Sequence, residues 1–438
     1  MKKMLIVLLV LAAFGTMLHA QTDREIFGLR VFANNDEYLP PVLAMKSDYL
    51  TIEFDVATPV PNNYQIIFQH ASKEWEPDEN AFLNSPLRDR SVRPLSYTAS
   101  PGGVRSYTFH FRNSFPDPDG MVQFPYSGNY LFRIVNRDDE KKTLAEGRFI
   151  VAEKTLPLTF RLANRYYPGD VAPMNQRLYA AVDMNADSLV GAAPDDRIMH
   201  QFLKSVYIFQ NWNITRPFRI DVDDRDPDTF VENFMLPNKR FWIRSIPAGN
   251  EYRRLDLSSV KLYPNGQTVR LVDGPDQSRM LWQGKNDANG AAKVRPFTGI
   301  NSEYLDVEFR LRLASRPQKD IFLVGAMTGW EVLPEYKLKY DEATGLYTLR
   351  ASIRRGVYDY QYVLGAIDAS GSVGDQDWIA LEGNDWRTIS RYIAVAYYRD
   401  QRFGGFDRAI GMAVAKSPGG QTETSLEAQP EPRKPKTR

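Results

Sequence analysis

The sequence has no cysteine in 438 residues. That excludes disulfides, thiolate metal sites, iron–sulfur clusters and a cysteine nucleophile. It also excludes lipoprotein processing, which needs a cysteine after the apolar leader. Histidine is almost as scarce, at four, and His70, His110 and His200 lie in separate segments without metal-ligand spacing. Neither sign of charge dominates, with 55 Lys and Arg against 54 Asp and Glu. No basic stripe invites nucleic acid, and no polybasic run in the expected folded part invites anionic lipid; the basic end of the tail, Arg433-Lys434-Pro435-Lys436, reads as a solvated terminus. Long amphipathic helices are missing; the best short candidate is Asp196 to Phe202. Past the N-terminus no apolar run nears the roughly 20 residues of a membrane span. The longest, Tyr392 to Tyr398, is far too short, and direct insertion into a membrane is not expected. There is no Gly-x-Ser-x-Gly elbow, phosphate loop, dinucleotide fingerprint or His-Glu-x-x-His. The expectation is a protein that is not an enzyme and carries no cofactor.

What is present begins with an export signal. Lys2 and Lys3 precede an apolar stretch from Met4 to Leu18, and Ala20 stands before polar sequence at Gln21. This is the layout of a secretory signal peptide over residues 1–20. Loss of Lys2 and Lys3 leaves 53 basic residues against 54 acidic.

The dominant period is two. Leu305, Val307, Phe309, Leu311 and Leu313 alternate with charged residues, which reads as a half-buried strand. Tyr64 to Phe68, Tyr107 to Phe111, Tyr130 to Ile134 and Tyr358 to Leu364 repeat the pattern. Turn clusters such as Pro101-Gly102-Gly103, Asp117-Pro118-Asp119-Gly120 and Asn289-Gly290 separate the runs. Short strands with regular turns predict an all-β chain of immunoglobulin-like or early-set β-sandwiches. The expected units are residues 21–152, 153–300 and 301–415. A disordered tail is expected over 416–438, where Leu426 is the only large apolar residue.

Candidate sites are few. Asp183, Asn185 and Asp187 are spaced like the start of a calcium loop, but Ser188 stands where a glycine is usual and the closing acid falls late. A polar loop is the stronger reading. Asp221, Asp223, Asp224, Asp226 and Asp228 crowd charge, as a solvated loop or around a cation. In the last unit, Phe322 to Gly325 followed by Thr328-Gly329-Trp330 resembles the early-set modules that bind glycogen or starch. In those modules an aromatic after the glycine turn stacks on sugar. Trp330 matches that position, and the competing reading buries it in the sandwich.

Over nearly its whole length the chain resembles the plug protein family of the bacterial type IX secretion system. In the first unit the matching residues are Ile52 to Val56, Tyr64 to His70 with Glu74-Trp75, Ser96-Tyr97, Tyr107 to Phe111, Ser127-Gly128-Asn129-Tyr130 and Arg148-Phe149. In the second they are Gln210-Asn211, Gly249-Asn250-Glu251-Tyr252-Arg253 and Asp287 to Gly290. In the third they are Val324-Gly325, Trp330, Gly356 to Tyr362 with Tyr358 and Tyr360, Leu381-Glu382-Gly383 and Tyr397 to Arg399. Trp212 and the tail depart from the family pattern. The resemblance implies a periplasmic protein at the inner face of the outer membrane. Its partner would be a giant outer-membrane β-barrel translocon, whose periplasmic mouth it would close. The matching positions are expected to be structural. The alternative is a periplasmic or surface glycan-binding protein using Trp330.

Overall fold

Strands that alternate apolar and polar residues place one face on a core and the other outside. The segment 304–312 does this without a break, burying Leu305, Val307, Phe309 and Leu311 and leaving the residues between them half-buried or exposed. The computed structural model describes residues 25–165, 177–184, 203–233, 238–281, 287–294 and 299–419. These residues form an all-β chain whose only helical pieces are short 3-10 turns. The expected signal peptide, Asp196 to Phe202, His200 and the sequence from residue 420 lie outside the described residues.

Six sheets share three principal cores. In the first, the sheet Ile26–Ala33, Leu50–Val56, Phe109–Phe115, Tyr97–Ala99 shares a core with the sheet Val42–Ala44, Asp139–Ala152, Gly128–Asn136, Tyr64–Ala71. Aromatic rings fill it: Phe54 stacks on Phe111 at 4.9 Å and Tyr130 on Phe149 at 5.2 Å. The second core lies between Thr229–Asn233, Lys239–Ile246, Arg177–Met184, Leu158–Arg165 and a sheet in which Ser205–Gln210 sits between Phe218–Asp221 and Arg391–Asp400. Phe406–Lys416 completes that sheet. In the third, Val357–Ile367 is central and pairs with Arg253–Asp256, Ala292–Lys293, Asp320–Gly325 and Val373–Asp377. The facing sheet is built on Tyr304–Arg312 and Leu346–Arg354.

The pairing corrects the expected boundaries of the second and third units. Arg391–Asp400 does not belong with the third core; it pairs antiparallel with Ser205–Gln210. Conversely Leu255, Leu257, Tyr263, Val269, Ala292 and Val294 pack in the third core, although they precede residue 300. The third sandwich is thus inserted between two strands of the second. The physical reason lies in the run from Tyr392 to Tyr398. Tyr392, Ala394 and Ala396 face the second core, while Ile393, Val395 and Tyr397 face a separate buried cluster. A strand buried on both faces reads as a continuous apolar run, and such a run carries no sign of which sheet owns it. The described chain also runs past the expected start of the tail. Ser417 is buried, and its hydroxyl donates to the Thr388 carbonyl at 2.8 Å.

Candidate functional site: the junctions between sandwiches

The buried polar residues gather where one sandwich meets another. Between the first and second, Val42, Ile150 and Ala152 form one apolar cluster with Tyr207, Phe209, Ile393, Val395 and Tyr397. Polar groups frame it. The Tyr397 hydroxyl donates to Asn129 Oδ1 at 2.7 Å, and Asn129 Nδ2 donates to the Lys73 carbonyl at 3.2 Å. Lys73 Nζ reaches Asp221 at 2.6 Å, and the Lys73 amide donates to Asp407 Oδ2 at 3.0 Å. Arg408 holds both oxygens of Glu153 at 2.9 Å. Gly128, at φ +141°, sits where a Cβ would lie 2.4 Å from His70 Nε2 and 2.6 Å from the Asp407 carbonyl oxygen. Only glycine fits that approach. Trp75, at φ +67°, rests its ring against the same cluster.

The first and third sandwiches meet around Asp55, which has no exposed surface. Its carboxylate accepts from the Tyr304 hydroxyl at 2.7 Å and from Arg354 Nη1 at 2.9 Å. Glu303 accepts from the backbone amides of Arg105 at 2.7 Å and Ser106 at 3.0 Å. Arg30 pairs with Glu37 and Glu53, both at 2.6 Å, and donates across the junction to the Ala292 carbonyl at 2.9 Å. Burial alone would raise the pKa of Glu53, but Arg30, His110 and Arg112 hold it below the usual carboxylate value.

The second and third meet around the two connecting segments. Gln210 Nε2 donates to the Ala248 carbonyl at 2.7 Å. Asn211 Nδ2 reaches the Tyr252 hydroxyl at 3.2 Å, while its Oδ1 accepts from the Arg391 amide at 2.9 Å. Asn250 Nδ2 donates to the Glu382 carbonyl at 3.0 Å. The Glu382 carboxylate is gripped by Arg253 at 2.9 Å and Arg279 at 2.7 Å. Glu251 accepts from the Ile389 amide at 2.9 Å. Asp287 and Asp359 lie beside Glu251 here. Burial, then Asp359 and Glu251, push the Asp287 carboxyl well above its ordinary value. Burial pushes Asp359 up to about 6, against two backbone amides that favour its charged form.

The positions singled out by family resemblance thus fall into two groups. Trp75, Gly128, Asn129, Gln210, Asn211, Asn250, Glu251 and Arg253 stand at junctions. Tyr130, Gly325, Gly356, Tyr358 and Tyr360 serve single sandwiches. A Cβ on Gly325 would lie 2.5 Å from the Asp359 carbonyl oxygen, and one on Gly356 2.9 Å from that of Lys293. The Tyr358 hydroxyl donates to the Arg354 carbonyl and that of Tyr360 to Asp276 Oδ2.

Trp330 corrects the sugar-stacking expectation. It is 2 % exposed, its ring packs 4.3 Å from that of Tyr252, and its Nε1 donates to the Gly290 carbonyl at 2.7 Å. An indole enclosed on both faces offers no platform to a sugar ring. The calcium spacing fares similarly at the position that is described. Asp183 lies on a strand and is paired by Arg161 at 2.6 Å and by Arg240; Asn185 and Asp187 lie outside the described residues. Among the described residues no cluster of three or more His, Asp or Glu is placed to hold a metal ion. His70 is buried between Asp78 and the Ser127 carbonyl, and His110 contacts Asp55.

Sequence reasoning missed Lys73, Asp407, Asp55, Tyr304, Asp276 and Asp359. Each is a common residue type, and its partner stands far along the chain. The one available signal was the recurrence of Asn, Gln and Glu beside turn residues at Gln210-Asn211 and Asn250-Glu251.

Comparison with known proteins fits this architecture. Residues 26–153 match the family model described as type 9 secretion system plug protein 1st domain. A crystal structure of a hypothetical protein from Parabacteroides merdae ATCC 43184 shares the fold, with a TM-score of 0.71 and 20 % identity. The similarity covers 90 % of this chain and 97 % of that one. Among curated proteins no match is found.

Proposed function

With residues 26–153 belonging to the plug protein family of the type 9 secretion system, we propose that the chain is a non-enzymatic periplasmic plug. It binds the periplasmic mouth of the outer-membrane translocon barrel and seals it when no substrate is passing. The family match carries the reading. The junctions support it in physical terms, because a plug must present a fixed shape to a fixed rim. Three sandwiches strung on flexible linkers would not. Here Asp55, Glu153, Glu303 and Glu382 each tie separate parts of the chain together. No helix among the described residues is long and apolar enough to cross a membrane.

The test is affinity capture from outer-membrane extract with the full exported chain as bait. A very large β-barrel protein is the expected prey. Recovery of folded bait without such a barrel would sink the proposal.

A further inference from the structure

Several arginines in this chain are stacked on an aromatic ring and neutralised at the same time. Arg30, Arg219, Arg240, Arg253, Arg316 and Arg354 each lie over an aromatic ring, and each also holds a carboxylate. Arg355, the other arginine whose pKa burial lowers, donates to the Leu257 and Tyr263 carbonyls at 2.7 Å. Arg216 departs from this pattern. Its guanidinium carbon stands 3.9 Å from the centroid of the Trp378 ring, which belongs to the inserted sandwich. Among the described residues it donates no hydrogen bond and meets no carboxylate; the ring covers part of its guanidinium while the residue as a whole keeps exposed surface. The indole beneath it is fixed in turn, with Trp378 Nε1 donating to Gln376 Oε1 at 2.9 Å. Trp212 and Trp378, both half-buried, rest on the cluster that contains Tyr252 and Trp330. One face of the guanidinium is therefore covered by the ring, and its N–H donors have no partner among the described residues.

We propose that Arg216, set on Trp378 at the junction of the second and third sandwiches, is a receptor for a peptide carboxylate. A guanidinium presents a planar fork of parallel donors that matches the two oxygens of a carboxylate. Among the described residues no carboxylate compensates its charge: the partial burial of the guanidinium against the ring pushes its pKa down to about 10, and Tyr252 is the one described titratable group that acts on it. That phenol is itself kept protonated by burial. The site thus supplies one positive charge, which a carboxylate neutralises fully. A phosphate group carries about −1.5 to −2 near neutrality and would remain under-compensated. The flanking indoles offer apolar surface to the residue that bears the acid. This inference stands apart from the plug reading, since it concerns what the junction binds and not where the chain resides.

The test uses the full exported chain with isotope-labelled tryptophan indoles, followed by NMR. The Trp378 signal is assigned by its loss in Trp378→Phe. Titration with acetyl-glutamate amide is expected to shift that signal saturably, whereas acetyl-glutamine amide leaves it in place. Acetyl-alanine, whose only carboxylate is the chain end, distinguishes a C-terminus from an acidic side chain as the source, and a saturable shift from either supports the site. Arg216→Gln should weaken the apparent affinity about tenfold or more, as expected for loss of charge-assisted hydrogen bonds. Arg216→Lys, which keeps the charge and loses the fork, should weaken it as well. The remaining indole signals report whether each variant is folded. The proposal is overturned by an equal shift with acetyl-glutamine amide, by unchanged affinity in folded Arg216→Gln, or by tighter binding of inorganic phosphate than of acetyl-glutamate amide.

Discussion

Replacing Asp359 by asparagine should make the protein more stable near neutral pH. Asp359 is 1 % exposed, and a single oxygen, Oδ2, accepts from the amides of Ala288 at 2.7 Å and Gly290 at 2.9 Å. An asparagine carbonyl oxygen in that place retains both hydrogen bonds and removes the charge. Burial raises the folded-state pKa from 3.8 to about 6. The folded state therefore binds the proton more tightly than the unfolded state. Stability is fully present below the unfolded pKa and falls as pH rises through the folded one. The shift is roughly two pKa units, and at about 1.4 kcal/mol per unit the ionised carboxylate costs up to ~3 kcal/mol above pH 6. Relaxation of the buried site reduces this, so a gain of about 1–3 kcal/mol is expected for Asp359→Asn near pH 7.5. The gap should close as pH falls toward about 4. Urea unfolding of both proteins, followed through tryptophan fluorescence at both pH values, measures the difference. Using the difference removes the opposing contribution of Glu53, whose pKa is lowered. A loss of stability of similar size at both pH values would refute the argument. It would mean that the carboxylate is held by its surroundings and not merely tolerated by them.

Gly128→Ala should cost at least about 2 kcal/mol, combining an unfavourable φ with overlap against the Asp407 carbonyl. Thermal unfolding checks the cost, and faster proteolysis near Glu153 checks that the first junction has loosened. Trp330→Ala should cost about 3–5 kcal/mol through the cavity and the lost Nε1 hydrogen bond. The wild-type protein should pass through immobilised glycogen without retardation, and retention lost on changing Trp330 would contradict its burial.

The strands were legible because a half-buried strand writes its geometry into the sequence at every second residue. Tyr304–Arg312 and Gly128–Asn136 each show this. The insertion was not legible. Nothing local to Tyr392 to Tyr398 records that its hydrogen-bond partner is Ser205–Gln210, some 180 positions earlier. The junctions were half legible. Turn-flanked Asn and Gln marked places where backbone groups need side-chain partners, as Asn211 and Asn250 provide. Their charged partners carried no mark, since a carboxylate at Asp55 or Asp407 looks like any other until the fold buries it.

The nesting bears on why the junctions are polar. Because the third sandwich leaves and re-enters the second through two adjacent crossings, at 247–252 and 379–390, its position is constrained twice by the backbone. Hydrophobic contact alone would still let it slide, since apolar packing is non-directional. Directed groups restrict that sliding: Glu382 between Arg253 and Arg279, Glu251 on the Ile389 amide, and Asp55 between Tyr304 and Arg354. Buried ion pairs are weak sources of stability, because desolvation offsets much of their attraction. They discriminate sharply between one geometry and its neighbours, since a displaced partner leaves a charge buried and alone. A chain that places several of them between its sandwiches, as well as within them, specifies orientation. Orientation is the property a body needs when its function resides in the shape of its surface.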